Sequence, residues 1–129
     1  MANIRELMTT YYKSGTERDW STWLSLLDDK IIVDEQLAGH LEGIESMRTL
    51  SKNLVKHYSK FEIKPTYMIV EGDEVCTAWV IDAVTDTGVP IHAVGANFCR
   101  FQDKKIVYMQ NFHDTVPFAS DTAYKKLRR

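Results

Sequence analysis

The stretch 97-NFCRFQDKKIVYMQNFHD-114 decides how the chain is read. Its β-branched and aromatic residues flank a polar turn, QDKK, so it reads as two strands of a hairpin. Yet Asn97 stands on the first strand, and Asn111 and His113 on the second, where a plain sheet would carry Val or Ile. Side chains alternate along a strand, so Ile91, Ala93, Gly95, Asn97, Cys99 and Phe101 share one face of the longer strand that starts at Pro90. On the last strand Met109, Asn111 and His113 share one face, and Tyr108, Gln110 and Phe112 the other. Small residues (Ala93, Gly95) beside a polar one leave room and offer a donor, which predicts that this face lines a pocket. The competing reading leaves Asn97 on a half-solvated sheet.

Working outward, four long strands are expected at Phe61–Val70, Glu74–Asp86, Pro90–Gln102 and Lys105–Asp114, with EGD, DTG and QDKK as hairpin turns between them. Strands joined this way pair antiparallel. Upstream, Ile4, Leu7, Met8 and Tyr11 recur at helical spacing. Asn3 with Glu6 resembles a capping box, and Gly15 suits the position just past the helix end. Trp20, Trp23, Leu24 and Leu27 repeat the stripe, with Asp19 as N-cap. After a short strand, Ile31–Glu35, a third helix is expected from Gly43 to Tyr58. Its stripe includes Ile44, Met47, Leu54, Val55 and Tyr58. Helices ahead of a run of strands predict an α+β domain, with three helices packed on one face of a curved, mainly antiparallel sheet. Such a cone encloses a ligand cavity.

At 129 residues the chain is read as one domain, 1–129, with a core from about 4 to 114 and a tail over 115–129. A net charge of −2, with 26% charged residues, argues against non-specific nucleic-acid binding. The one basic cluster, Tyr124–Arg129, reads as a solvated terminus. Cys76 and Cys99 fall inside strands without metal spacing and read as reduced thiols. The N-terminus lacks the apolar core of a signal peptide, and no stretch approaches the ~18 apolar residues of a membrane span. The expected compartment is the cytoplasm, with no membrane partner.

The order helix–helix–strand–helix followed by four long strands resembles the nuclear transport factor 2-like superfamily. Within it, the chain is most similar to the ketosteroid isomerase and SnoaL-like polyketide cyclase branch. The signatures are LMTTYY in the first helix, RDW opening the second, LLDDKIIVDE into the first strand, then GVPIHAVGANFCRF and KIVYMQNFH. The resemblance implies a cone-shaped α+β barrel and a homodimer formed through the outer sheet face. It also implies proton transfer next to a ketone, needing a carboxylate base and two hydrogen-bond donors for the enolate oxygen. Carried across position by position, the tyrosine donor falls on Tyr11, the base on Glu35, the second donor on Asn97 and a pocket-wall residue on His113. Glu35 is one methylene longer than the family's aspartate, and Asn97 is an amide in place of an acid. His113 is titratable where the family is apolar, and Leu27 stands in place of a second tyrosine.

The residues themselves leave choices open. Asp34 and Glu35 point to opposite faces, so one of them enters the pocket, and the alternation of Ile31 to Glu35 does not select it. Tyr12 lies off the stripe that carries Tyr11. His40, in LAGHLEG, and His92, opposite Asn97, are weaker candidates than His113. Substrate contacts are expected from Asn111, Met109, Asp82 and Trp79. No metal, phosphate or nucleophile motif is present, so neither metal nor cofactor is expected. The expected function is a cofactor-free enzyme acting through an enolate on an apolar carbonyl compound, as an isomerase, cyclase or dehydratase. Glu35, Tyr11, Asn97 and His113 would be its catalytic groups. The alternative is a ligand-binding or protein-interaction module on the same fold.

Overall fold

The computed structural model describes residues 2–118. Helix α1 (Ile4–Thr16) starts where the Asn3 side chain accepts the Glu6 backbone N–H at 2.9 Å. That is half of the expected box. Its end departs from expectation. Gly15 sits inside the last turn, and Arg18 (φ 60°) takes the left-handed position that a glycine usually fills. The Arg18 N–H donates to the Gly15 carbonyl and the Asp19 N–H to the Ser14 carbonyl, a Schellman closure. Glycine at 15 answers to space instead, since a Cβ there would lie 3.4 Å from the Trp23 indole. Asp19 then caps α2 (Trp20–Ser25), accepting the Thr22 N–H.

Leu27 is not the last residue of the α2 stripe. It opens β1 (Leu27–Glu35), a longer strand than expected, because the Ile106 N–H donates to the Leu26 carbonyl and draws this segment into the sheet. A further strand, β2 (Gly39–Glu42), folds back on β1, pairing Glu35 with Gly39 and Ile32 with Glu42. Helix α3 (Ile44–His57) begins at Gly43, whose φ of 86° reverses the chain out of β2. The four long strands follow as β3 (Tyr58–Glu71), β4 (Glu74–Thr85), β5 (Pro90–Gln102) and β6 (Lys105–His113), ahead of a single 3₁₀ turn at Val116–Phe118. The basic cluster at Tyr124–Arg129 lies outside the described residues.

The strands form one open six-stranded sheet in the order β2-β1-β6-β5-β4-β3. Neighbours pair antiparallel except β1 with β6, which run parallel. The turn between β5 and β6 has two residues, Asp103 and Lys104, both at positive φ, as a primed hairpin turn requires. Pro65 sits in β3, an edge strand, where a missing N–H is tolerated. The α+β architecture and the mainly antiparallel, cone-like sheet agree with the sequence reading.

All three helices cover one face of the sheet. Helix α1 packs on β3 and α2, while α3 bridges β1, β2 and β3. Thr16 fastens the end of α1 to the β3 edge, its hydroxyl donating to the Ile63 carbonyl and accepting the Ile63 N–H. Met8, Tyr12, Leu27, Ile31, Met47, Tyr58, Ile106 and Met109 are fully buried between the layers. The other face leaves Tyr67, Ile69, Val94 and Phe112 exposed. Among the described residues no helix is long and apolar enough to cross a membrane.

One glycine sets how closely the inner face can pack. Gly95 of β5 lies between Trp79 of β4 and His113 of β6, its cross-strand partners on either side. A Cβ at 95 would come within 2.4 Å of the Phe112 carbonyl oxygen and 2.7 Å of both the His113 Cβ and the Trp79 ring. Gly95→Ala is therefore expected to destabilise the protein by about 1–3 kcal/mol through overpacking, read from the urea unfolding midpoint. An unchanged midpoint would contradict this packing.

Candidate active site

Parallel pairing of β1 with β6 brings two distant segments side by side, with Val33 opposite Met109 and Glu35 opposite Asn111. Alternation then sorts the side chains. Ile31, Val33 and Glu35 point inward, and Asp34 points out, where it accepts the Tyr108 hydroxyl at 2.8 Å and pairs with His40 at 2.7 Å. Glu35 is therefore the carboxylate on the inner face. It is buried, with 9% of its surface exposed.

Its two oxygens have different partners. Oε2 accepts the backbone N–H groups of Leu37 (2.8 Å) and Ala38 (2.6 Å), closing the turn between β1 and β2. Oε1 faces Nε2 of His113 in a short hydrogen bond. The other imidazole nitrogen, Nδ1, lies 3.0 Å from the Asp114 carbonyl oxygen. A carbonyl only accepts, so Nδ1 carries a proton. The contact between Nε2 and Oε1 then needs a second proton, held by the pair. An imidazolium donates at both nitrogens and both contacts favour it, so the second proton is assigned to His113. Burial pulls the His113 pKa down, but the hydrogen bonds to Glu35 and Asp114 outweigh it, and the net shift is upward from 6.5. The ring is held by Phe118, edge-on at 5.4 Å, and by the tilted Trp79 at 6.1 Å. The Gln36 side-chain oxygen accepts the His113 backbone N–H.

The dyad sits in the wall of a cavity of about 100 Å3. Aromatic rings of Tyr11, Trp20, Trp23, Phe61 and Trp79 form most of the lining, helped by Leu50, Leu54, Ile63 and Ile81. Asn111 also reaches it. Thus Glu35, His113, Tyr11, Trp79 and Asn111 are brought together, as residues of one cavity.

The remaining expected residues are elsewhere. Asn97 is buried but does not line the cavity; its Oδ1 accepts the hydroxyl of Tyr12 in a short hydrogen bond. Tyr11 donates no such bond to Asn97, and its hydroxyl meets the Met109 sulfur at 3.5 Å. Met109 is fully buried as the acceptor of that contact. Asp82 points out of the sheet and pairs with His92 directly across the β4–β5 ladder, so it is not a pocket carboxylate. Its position follows from alternation, since Ile81 and Ala83 take the inner face. Tyr12 is the residue the sequence reading passed over. The signal was present, because Ile4, Met8 and Tyr12 recur at i, i+4 and i+8 and place Tyr12 on the buried side. Burial raises the pKa of both tyrosines well above 10, so both are neutral donors.

Three polar atoms on lining residues have no hydrogen-bond partner among the described residues: Nε1 of Trp20, Nε1 of Trp79 and Oδ1 of Asn111. Among the described residues no cluster of His, Cys, Asp and Glu converges as a metal site.

The chain and its fold match known proteins. The family model of the SnoaL-like domain fits residues 8–109. The chain belongs to the SnoaL-like family. Comparison with curated proteins gives no match. Among solved structures, this SnoaL-like domain is similar to a nuclear transport factor 2-like protein of unknown function from Burkholderia pseudomallei. That protein is 15% identical, with a TM-score of 0.83 over 93% of this chain and 97% of the other. A Pseudomonas putida protein provisionally assigned as a polyketide cyclase has 14% identity and a TM-score of 0.83, over 93% and 98% of the two chains. A ketosteroid isomerase-like protein from Catenulispora acidiphila, in complex with trimethylamine, has 15% identity and a TM-score of 0.77, over 85% and 86%. These likenesses show that the SnoaL-like domain has a nuclear transport factor 2-like fold.

Two outcomes follow from the hydrogen bonds. Tyr12→Phe leaves the buried Asn97 oxygen unpaired and is expected to cost about 1–3 kcal/mol of unfolding free energy, while Tyr11→Phe, which loses a weak sulfur contact, costs clearly less. Equal losses in urea titrations would contradict the assignment. For His113 the folded pKa lies above the unfolded one, so its stabilisation is complete below 6.5 and is lost as pH rises through the folded value. The wild-type urea midpoint should fall as pH is raised from about 6 to 9, and Glu35→Gln should flatten or reverse that trend.

Proposed function

We propose that this domain is a small enzyme doing acid–base chemistry through an enolate on a carbonyl compound, with the Glu35–His113 pair as its proton-transfer group. The observation that carries the reading is the pair itself: a carboxylate and an imidazole hydrogen-bonded on the wall of a mostly apolar, aromatic cavity. Water-poor surroundings strengthen such electrostatic effects. In the resting form the shared proton is on His113, so Glu35 Oε1 is the base that accepts a proton from the carbon next to the carbonyl. The imidazolium beside it offsets the negative charge that then develops on the enolate. Of the Tyr11–Asn97 donor pair expected from the resemblance, only Tyr11, a neutral hydroxyl, is among the lining residues. Glu35 returns the proton to the same or another carbon. Isomerisation, aldol-type cyclisation and dehydration all pass through this intermediate, and the cycle needs no cofactor.

A second reading has a specific observation in its favour. Five aromatic rings around a small cavity suit a compact ammonium ion through cation–π contacts, and one fold neighbour holds trimethylamine. In that case the domain binds a cation and catalyses nothing.

Proton exchange separates the two. Small ketones incubated with the protein in D2O should lose their α-proton signals in the NMR spectrum faster than in buffer. Glu35→Gln is suited to the test because its amide oxygen can keep the Leu37 and Ala38 donors while its NH2 donates to a neutral His113. A loss of about 10²-fold or more in exchange rate is expected, the usual contribution of a general base. Exchange by the variant at the wild-type rate, or none by the wild type, would sink the catalytic reading.

A further inference from the structure

We infer that Gln36 is a positioning residue of the acid–base pair: its side chain holds the main chain of His113 so that the imidazole meets Glu35. The effect on turnover rests on the catalytic reading above, whereas the geometry and its spectroscopic signature stand apart from it.

Peptide N–H groups point alternately toward the two neighbours of a strand. The Asp114 N–H donates to the Val94 carbonyl of β5 at 3.2 Å, so the His113 N–H points the other way, toward β1. There the ladder has already ended. Glu35 and Asn111 are its last pair, and residues 36–38 form the turn into β2. The Gln36 amide oxygen takes the place of the departed strand and accepts the His113 N–H at 2.6 Å.

Two consecutive residues thus grip one histidine at two points. Glu35 Oε1 holds the ring at Nε2, and Gln36 holds the backbone of the same residue. The turn that carries Gln36 is itself fixed by Glu35 Oε2, through the N–H groups of Leu37 and Ala38. This closed circuit of hydrogen bonds sets the separation of the two strand ends. Without the Gln36 bond, the tie from β1 to the His113 main chain is gone. The end of β6 then follows β5, to which it is joined by the Gly95–His113 pair and the Asp114–Val94 bond. Any spreading of β6 from β1 is taken up at the contact between Nε2 and Oε1. Displacements of that kind matter, because a reacting group loses rate steeply when it is misplaced.

Gln36 is exposed and is not among the cavity-lining residues, so it acts through His113 and not on the substrate. Exposure also lets water replace the lost acceptor, so global stability should hardly depend on this side chain. That separates positioning from folding.

Two variants make the test. Gln36→Met keeps the length of the side chain and removes its amide oxygen, and Gln36→Glu keeps an oxygen acceptor. The Nε2–H proton between His113 and Glu35 is read as a low-field proton NMR resonance, together with the 15N-detected titration of His113. In Gln36→Met that resonance should move upfield and the His113 midpoint should fall toward 6.5, with the urea midpoint nearly unchanged. Gln36→Glu should return the resonance to its wild-type position. Exchange of α-protons should slow at least about tenfold in Gln36→Met and recover in Gln36→Glu. A wild-type resonance and titration in Gln36→Met would overturn the inference, and so would a Gln36→Glu protein that behaves like Gln36→Met. The two readings fail separately. No exchange by the wild type sinks the catalytic reading and leaves the resonance to decide the role of Gln36. Wild-type exchange with an unmoved resonance in Gln36→Met sinks the role of Gln36 and leaves the catalytic reading standing.

Discussion

The carboxylate of Glu35 holds together what the rest of this domain arranges. One oxygen fastens the β1–β2 turn through two backbone donors, and the other holds the imidazole of His113 at the end of β6. A buried carboxylate is costly unless it is paired and hydrogen-bonded, and here its partners come from two parts of the fold, the β1–β2 turn and the end of β6. The turn after β1 and the end of the last strand are both positioned by this one group. The same group is the proposed base, so structure and chemistry compete for one set of lone pairs. With the proton on His113, Nε2 donates to Oε1 while Oε2 keeps its backbone bonds.

Much of this was legible in the sequence, and the reasons are local. Period-2 alternation sorts β5 and β6 correctly, with Gly95, Asn97, Met109, Asn111 and His113 all on the helix-covered face. Turn chemistry places the three hairpins. What alternation could not decide was Asp34 against Glu35, because both neighbouring sets begin with an isoleucine. That choice depends on the register of β1 against β6, a long-range fact. Strand β2 escaped notice because four residues, Gly39–Glu42, carry no hydrophobic alternation of their own. Its existence depends on the edge that β1 offers. The parallel β1–β6 pairing has no local signal at all.

The pairing of Tyr12 with Asn97 shows a different limit. Spacing identifies the buried side of a helix but not which of two adjacent buried tyrosines reaches a given strand. Helix α1 lies across β3 in such a way that Tyr12 reaches Asn97 on β5, while Tyr11 is stacked on Trp23 and turned toward the cavity. The family resemblance supplied the residue types for an oxyanion site, and the packing of α1 distributed them differently. Asn97 satisfies a core hydroxyl.

The parallel seam between β1 and β6 has one more implication, for how the domain folds. Glu35 and His113 are 78 residues apart in the chain, and no hairpin links their strands. The β3–β6 meander can form by successive local closures, but the seam requires the chain to return on itself over that whole distance, which is slow and entropically demanding. A partly folded chain containing only the meander has neither the charge pair nor the cavity wall it completes. The charge pair is in this sense a late product of folding, assembled where the first strand meets the last.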